Sequence, residues 1–527
     1  MSWLIWLIPC FLMANVDQLL KEMSVEEKVG QLFIAPICPL RGPEHFADWA
    51  KLMESCHIGG AILKQADPAS QIRQLNALQR TSKLPLLVVA DAEWGLAMRM
   101  SQTVAFPKNM TLGAVQDLTL IEAMGREIGR QARLVGIHMN LAPVVDVNNN
   151  PKNPIIHMRS FGARPDAVAT RAQAIIRGMQ AGGLLTCAKH FPGHGDTGVD
   201  SHVGLPVINH LLARLESVEL FPFRAVLNKT DAVMSAHLLV PALDPKWPAT
   251  LSSAILTDLL RGELQFKGLI LTDAMNMRAI TDQFGVAPAA CQAHCQAGAD
   301  LLLYGTHVSE EVDRLIRDSI PASVQAIVAG YKKGEWPMER LDASVRRILQ
   351  AKEDLGLFVN RLTHEEPDLH PSRALRLKRR LFEEALTWVG SGDRPVVDKK
   401  TAYLGIGNPK TDVLAPQFTQ SLVYLADATP FDIPSAIEKA PHIVVALRCI
   451  QPRAIDYGIS DELAAHIRAL SAKTHVTVCL FGTPYALDRL PFDARVLVAY
   501  EDDELAARAA WKLLRGKPGK GQLPVER

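Results

Sequence analysis

The sequence predicts an α/β protein built in two parts, an N-terminal (β/α)8 barrel followed by a smaller α/β sandwich domain. Two observations carry the barrel. Eight short, nearly continuous apolar runs alternate with longer amphipathic stretches over about the first 300 residues, the number and spacing a barrel of this kind needs. Runs without polar alternation read as strands buried on both faces, which belong to parallel sheets. A third observation separates the second part: after the polar, proline-containing stretch RLTHEEPDLHP (361–371), a shorter series of apolar runs begins. The expected division is an apolar N-terminal segment 1–14, a barrel 15–360, a linker 361–371 and a C-terminal domain 372–527. A doubly wound open sheet is the rival for the first part, because the same alternation serves both.

Taken in order, VDQLLKEMSVEEKVGQLF (16–33) has helical spacing, with Ser24 and Glu27 placed for a capping box. The strand candidates are LFIAPI (32–37), GGAILK (59–64), PLLVVAD (85–91), GIHMNLAPVVDV (136–147), GLLTCAKH (183–190), AVMSAHLLV (232–240), GLILTDAM (268–275) and ADLLLYG (299–305). Between them, 120–136, 167–183, 211–227 and 254–264 read as helices. In the second part, SRALRLKRRLFEEALTWVG (372–390) reads as a basic helix. TAYLGIG (401–407), HIVVALR (442–448), VTVCLFG (476–482) and RVLVAYE (495–501) read as strands, and the tail KPGKGQLPVER as extended on the surface. Gly405 and Gly407 form only GxG, so dinucleotide binding lacks its fingerprint.

Composition bounds the function. The chain of 527 residues is 48% hydrophobic and 21% charged with a net charge of +1, which gives no pull toward nucleic acid or an anionic membrane. Eight scattered cysteines without a CxxC pair read as reduced core residues. The run WLIWLIPCFLM (3–13), followed by Ala14, has the length of a signal peptide but no preceding Lys or Arg, and is too short to span a bilayer. It points to export; a misassigned start or a cytoplasmic protein with an apolar extension is the alternative. Stable membrane insertion is not expected.

The chemistry concentrates in Lys189–His202, KHFPGHGDTGVDSH, which holds three histidines, two aspartates and three glycines. Such a segment is a loop, and loops this rich in reactive groups make sites. In a barrel, active groups stand at the C-terminal ends of strands. Asp91, Glu93, Asp146, Lys189, His190, His237 and Asp273 all occupy that position in the pattern. Glycosidic hydrolysis needs a nucleophile or base and an acid flanking one bond. Asp273 in LTDAMNM suits the first role, although an Asp there also serves as a helix cap. Asp200 and His202, spaced as DSH, suit the second, since a carboxylate beside an imidazole fixes its tautomer and raises its basicity. Two other classes fit the same residues. His190, His194, Asp196 and His202 are enough ligands for a metal-dependent hydrolase, and a sugar-binding protein without turnover is the non-enzymatic reading.

The loop and LTDAMNM together resemble the bacterial β-N-acetylglucosaminidase (β-N-acetylhexosaminidase) branch of family 3 glycoside hydrolases. MSVEEKVGQLF (23–33), VVADAEWG (88–95), NLAPVVDVNNNPKNPIIHMRSFG (140–162), MSAHLLVPALDP (234–245) and 248–277 extend the resemblance over most of the first 360 residues. LFGTPYALDRLP (480–491) and 496–517 resemble the α/β sandwich of longer members. The resemblance implies a metal-free retaining exo-enzyme without a cofactor. Its substrate would be an N-acetylglucosamine-containing saccharide or muropeptide, and it would act as a monomer or homodimer. Asp273 matches the nucleophile, Asp200 and His202 the acid/base dyad, Lys189 and His190 residues that hold sugar hydroxyls, and Asp91 and Arg159 further sugar contacts. His194 and Asp196 would shape the loop. One block departs from the pattern: DAEWGLAMR stands where the shorter enzymes have a sequence like DQEGGR, with Arg99 as the candidate replacement for the arginine. The histidine loop leaves the second domain a structural or dimerising role. A phosphorylase, favoured by an acid/base that does not repel phosphate, and a β-glucosidase remain as alternatives.

Overall fold

Eight parallel strands close into a barrel in the computed structural model, which describes residues 15–201, 203–305, 312–390, 396–408, 410–425, 433–448, 454, 456–491 and 495–526. The strands are β1 (Phe33–Ile37), β2 (Gly60–Leu63), β3 (Leu87–Ala90), β4 (Met139–Asn140), β5 (Leu185–Phe191), β6 (Ala232–Ser235), β7 (Leu269–Thr272) and β8 (Leu302–Leu303). Each pairs in parallel with its neighbour in sequence from β1 to β7, and β8 returns to β1 through Phe33↔Leu302. A bridge between Leu271 and Leu301 closes the ring beside β7, which decides for the barrel over the open sheet.

Most helices form where the apolar periodicity places them. Asp117 caps the helix Leu118–Leu134 by accepting from Thr119 N–H, and Pro165 opens the helix Pro165–Ala181 at a position where its missing N–H costs nothing. The Ser24–Glu27 capping box is formed in both directions. Three segments differ from expectation. The run 211–227 is two short helices, Leu212–Ser217 and Leu220–Val226, broken at Val218. β4 is only two residues long: past Leu141 the chain reaches Pro143, which has no N–H to donate, and continues with one bridge from Val144 to Lys189. The helix read over 372–390 runs Pro371–Ala385, and Thr387–Val389 turns into a strand.

That strand, β9, pairs antiparallel with β14 (Arg495–Val498). It is an edge of a second, six-stranded sheet ordered β11–β10–β12–β13–β14–β9, with β10 (Thr401–Ile406), β11 (Gln420–Tyr424), β12 (His442–Leu447) and β13 (His475–Leu480) parallel. Alternate residues of β10 serve two cores. Ala402, Leu404 and Ile406 join the large hydrophobic cluster that includes the barrel, while Tyr403 packs with Phe382 and Leu497 on the other face. The C-terminal tail is not a free surface strand. Gln522 N–H donates to Ala114 O at 3.0 Å, and Ala163 N–H donates to Pro524 O at 3.0 Å. The tail can lie this close because Gly162, at φ +141°, has no side chain; a Cβ there would stand 2.3 Å from Pro524 O. Among the described residues no helix is long and apolar enough to cross a membrane.

Candidate active site

The C-terminal ends of the barrel strands surround a cavity of about 630 Å³. Asp91, Arg159, Lys189, His190, Asp200 and Asp273 all line it, so six of the seven residues singled out in the sequence converge on one place. The seventh, His202, lies outside the described residues.

Asp273 directly follows β7, whose four residues are fully buried in pattern. Its N–H donates to Ser235 O at the end of β6, and one carboxylate oxygen accepts from Ala274 N–H at 2.7 Å. Burial alone would raise its pKa. His237, His190, the Ala274 amide and Lys189 outweigh that and hold it at about 2, so the group is an anion at neutral pH. His237 stays in place because its Nε2 lies 2.9 Å from Ala274 O and its Nδ1 2.9 Å from Thr250 Oγ1.

Across the cavity, five charges interlock. Lys189 Nζ reaches Asp91 Oδ1 at 2.9 Å and Glu93 Oε1 at 3.0 Å; Arg99 reaches Asp91 Oδ2 at 2.7 Å; Arg159 bonds Glu93 through both Nε and NH2, the latter at 2.8 Å. Lys189 is 2% exposed, and only full pairing makes such a buried ammonium tolerable. Despite burial, Lys189 and Arg99 hold the Asp91 carboxyl well below its ordinary range, and Arg159 and Lys189 hold Glu93 at about 2. Arg99, the candidate replacement in the departing third-strand block, reaches this network. Its counterion is Asp91, whereas Arg159 takes Glu93.

His190 is fixed from both sides. Its Nδ1 lies 2.7 Å from Asp146 Oδ2, and its Nε2 faces Arg159 NH2 at 3.4 Å. The other oxygen of Asp146 accepts the backbone N–H groups of His190 (3.1 Å) and His194 (2.7 Å), so one carboxylate ties the end of β5 to the start of the loop. His194 points its Nδ1 at Thr197 Oγ1, 2.9 Å away, and burial with nearby His190 pushes the ring down to about 4. It shapes the loop as a neutral ring.

This geometry bears on metal binding. His190 and His194 spend their Nδ1 atoms on Asp146 and Thr197, and a guanidinium faces His190 Nε2, so these two do not converge with Asp196 on one ion. Among the described residues, Asp196, His210 and Glu219 are the group whose ligand atoms come within 4.8 Å of one another. There His210 Nε2 lies 2.8 Å from Asp196, and Arg214 NH1 bonds both oxygens of Glu219, at 3.0 and 2.9 Å. A cation would have to displace that guanidinium.

Several contributors were not assigned roles by sequence reasoning. Lys64, immediately after β2, lines the cavity and was readable as a strand-end charge. Asn276 Oδ1 accepts Gly305 N–H at 3.0 Å, tying the turn after Asp273 to the end of β8. Asn148 and Asn153, in the run NNNPKN, left no signal beyond a polar turn.

A family model described as the N-terminal domain of glycosyl hydrolase family 3 matches residues 24–351. The chain belongs to glycosyl hydrolase family 3. Beta-hexosaminidase A of Pseudoalteromonas piscicida is 35% identical over 366 residues, 64% of this chain and 60% of that protein, so this chain spans less than two thirds of its length. Beta-hexosaminidase LpqI of Mycobacterium tuberculosis is 32% identical over 63% of this chain and 83% of its own. In three dimensions the chain is similar to a family 3 β-N-acetylglucosaminidase from Paenibacillus sp. str. FPU-7. The TM-score is 0.81 at 32% identity, covering 96% of this chain and 99% of the other, so the likeness includes the second sheet.

Proposed function

We propose that this protein is a retaining exo-β-N-acetylglucosaminidase that removes terminal β-linked N-acetylglucosamine, with cell-wall muropeptides as the substrate class. The observation that carries the reading is that Asp200 and the anionic Asp273 line one cavity together with the Lys189–Asp91–Arg99 and Arg159–Glu93 network. The names of the relatives from Pseudoalteromonas, Mycobacterium and Paenibacillus support the choice of sugar.

In the first step Asp273, held by Ala274 N–H on one oxygen, attacks the anomeric carbon with the other. The glycosidic bond breaks as His202, paired with Asp200, gives its proton to the departing oxygen, leaving a glycosyl ester on Asp273. In the second step neutral His202 takes a proton from water, whose oxygen attacks the same carbon and frees Asp273. Two inversions return the starting configuration. Lys189, His190, Asp91 and Arg159 hold the ring through its hydroxyls and acetamide. Their mutual ion pairs fix their geometry before substrate arrives, so little ordering remains to be done on binding.

Hydrolysis of 4-nitrophenyl β-N-acetylglucosaminide and of the matching glucoside, each with and without phosphate or EDTA, tests the proposal. Turnover of the first substrate alone, unaffected by EDTA and releasing free sugar in phosphate, is expected. A sugar 1-phosphate product, faster turnover of the glucoside, or loss of activity in EDTA would overturn the acceptor, sugar or metal-free part in turn.

A further inference from the structure

Among the described residues, none beyond Gly305 lines the cavity, yet the second sheet's loops grip the segment that gives it Ile155, Ile156 and Arg159. That segment, 147–160, follows β4 and carries Arg159 near its end. Asn148 is wholly buried at its start, and its Oδ1 accepts His157 N–H at 2.8 Å, setting the short helical turn His157–Arg159 that aims Arg159 at Glu93 and His190. Tyr485, from the loop after β13, closes on Asn148 twice. Its hydroxyl donates to Asn148 O and accepts from Asn148 Nδ2, the latter at 2.9 Å. Its ring lies 5.4 Å from the His157 ring, and Tyr457 OH donates to Pro151 O at 3.3 Å in the same segment.

The segment in turn carries the catalytic loop. Asn153 Nδ2 donates to His194 O (2.8 Å) and Gly195 O (2.9 Å), while its Oδ1 accepts Ile155 and Ile156 N–H. Gly195 lies flat on Val147: a Cβ there would stand 1.8 Å from Val147 O. The backbone that leads to Asp200 thus rests on a platform whose outer side is held by another sheet.

We propose that Tyr485 is a positioning residue for the active site. Through Asn148 and the 147–160 segment it sets the Arg159 guanidinium and the stem of the loop carrying Asp200, so that the second unit helps to build a cavity that none of its described residues lines. The kinetic part rests on the function proposed above; the structural part does not.

Tyr485→Phe in the full chain keeps the ring against His157 and removes both bonds to Asn148. With 4-nitrophenyl β-N-acetylglucosaminide, KM is expected to rise about tenfold to a hundredfold, the scale on which small misplacements of binding groups act. Circular dichroism should match wild type. Backbone deuterium uptake should increase in 147–160 and 193–201 but not around Asp273. Asn148→Ala, which also frees the His157 N–H, should show at least as large an effect, and the double variant should fall short of the sum of the two, because both lose the bond between the Asn148 amide and the Tyr485 hydroxyl. A merely structural role would lower the active fraction, reducing kcat with KM and loop uptake unchanged; that result overturns the proposal, as does wild-type behaviour. Should Tyr485→Phe fail to fold, Tyr457→Phe, which removes only the Pro151 bond, reads the same uptake pattern, and unchanged uptake there counts against it. A wild-type enzyme inactive on the sugar would sink the proposed function while the uptake comparison still decides the positioning role.

Discussion

Asp273 and Asp200 face one cavity from supports of different kinds. Asp273 follows a four-residue buried strand directly, and neighbours on β6 and in the next turn fix its backbone and one oxygen. Asp200 stands well beyond the end of β5, on a loop whose stem is held by Asp146 and by Asn153, the latter in the segment that Tyr485 holds through Asn148. In the proposed mechanism the nucleophile must meet one carbon atom at one angle, and a strand end supplies that rigidity locally. The proposed acid/base side must serve two successive steps, and its placement is delegated to contacts that reach into another sheet. Strand-end chemistry is therefore written near the residue itself, while loop chemistry is written partly elsewhere.

The contrast can be broken at either end. Asp273→Ala should lower kcat on the order of 10⁴-fold or more with the fold intact, since a nucleophile has no substitute; steady-state rates and circular dichroism check this, and activity within tenfold of wild type would remove Asp273 from the mechanism. Between the two carboxylates, Lys189→Met leaves Asp91 and Glu93 buried with one cation fewer. The cost should be about 3 kcal/mol of stability, read by urea unfolding. An unchanged midpoint would mean that Arg99 and Arg159 suffice.

The same network sets a pH dependence. Glu93 and Asp273 are held at about 2 in the folded state, below their ordinary 4.5 and 3.8, and Asp91 is held low as well. Carboxylates depressed on folding contribute stability that is fully present above about pH 5 and is lost as pH falls toward 2. Buried histidines held near 4, His194 among them, already cost stability as pH falls below about 6.5, and the carboxylates add a further loss below pH 4.5; the carboxylate part is isolated by Glu93→Gln, whose profile should run parallel to wild type above about pH 5 and fall less steeply below pH 4.5. A rise in stability on acidification would contradict the ion-pair description.

On the loop side, Gly195→Ala must push the stem off Val147. It should reduce kcat/KM about a hundredfold, with a thermal midpoint changed by only a few degrees. The smallest effect belongs to a site remote from both. Ser24→Ala removes the capping-box acceptor and should cost about 1 kcal/mol without touching the kinetics.

The barrel was legible because its strands are continuously apolar and are followed by charges: LILTD and LVVAD announce both a strand and its functional end. The capping box was legible for the same local reason. What escaped notice depends on distant partners. β11 is an edge strand with two exposed residues, so it lacks the apolar run that marks the others. Thr387–Val389 continues a helical pattern until pairing with β14 claims it. Asn148 and Asn153 look like turn residues, and only the folded chain shows one gripped by Tyr485 and the other holding the loop. Arg99 was a candidate from its neighbourhood in sequence, but its pairing with Asp91, while Arg159 takes Glu93, shows only in the folded chain.

The central claim is that Asp273 carries the sugar between the two steps. Incubation with a fluorinated N-acetylglucosamine derivative that slows release of the glycosyl ester, followed by peptide mass spectrometry, tests it directly. The label should lie on Asp273 in the peptide containing LTDAMNM. A label on another residue, or release of product with inverted configuration and no labelled peptide, would contradict the account.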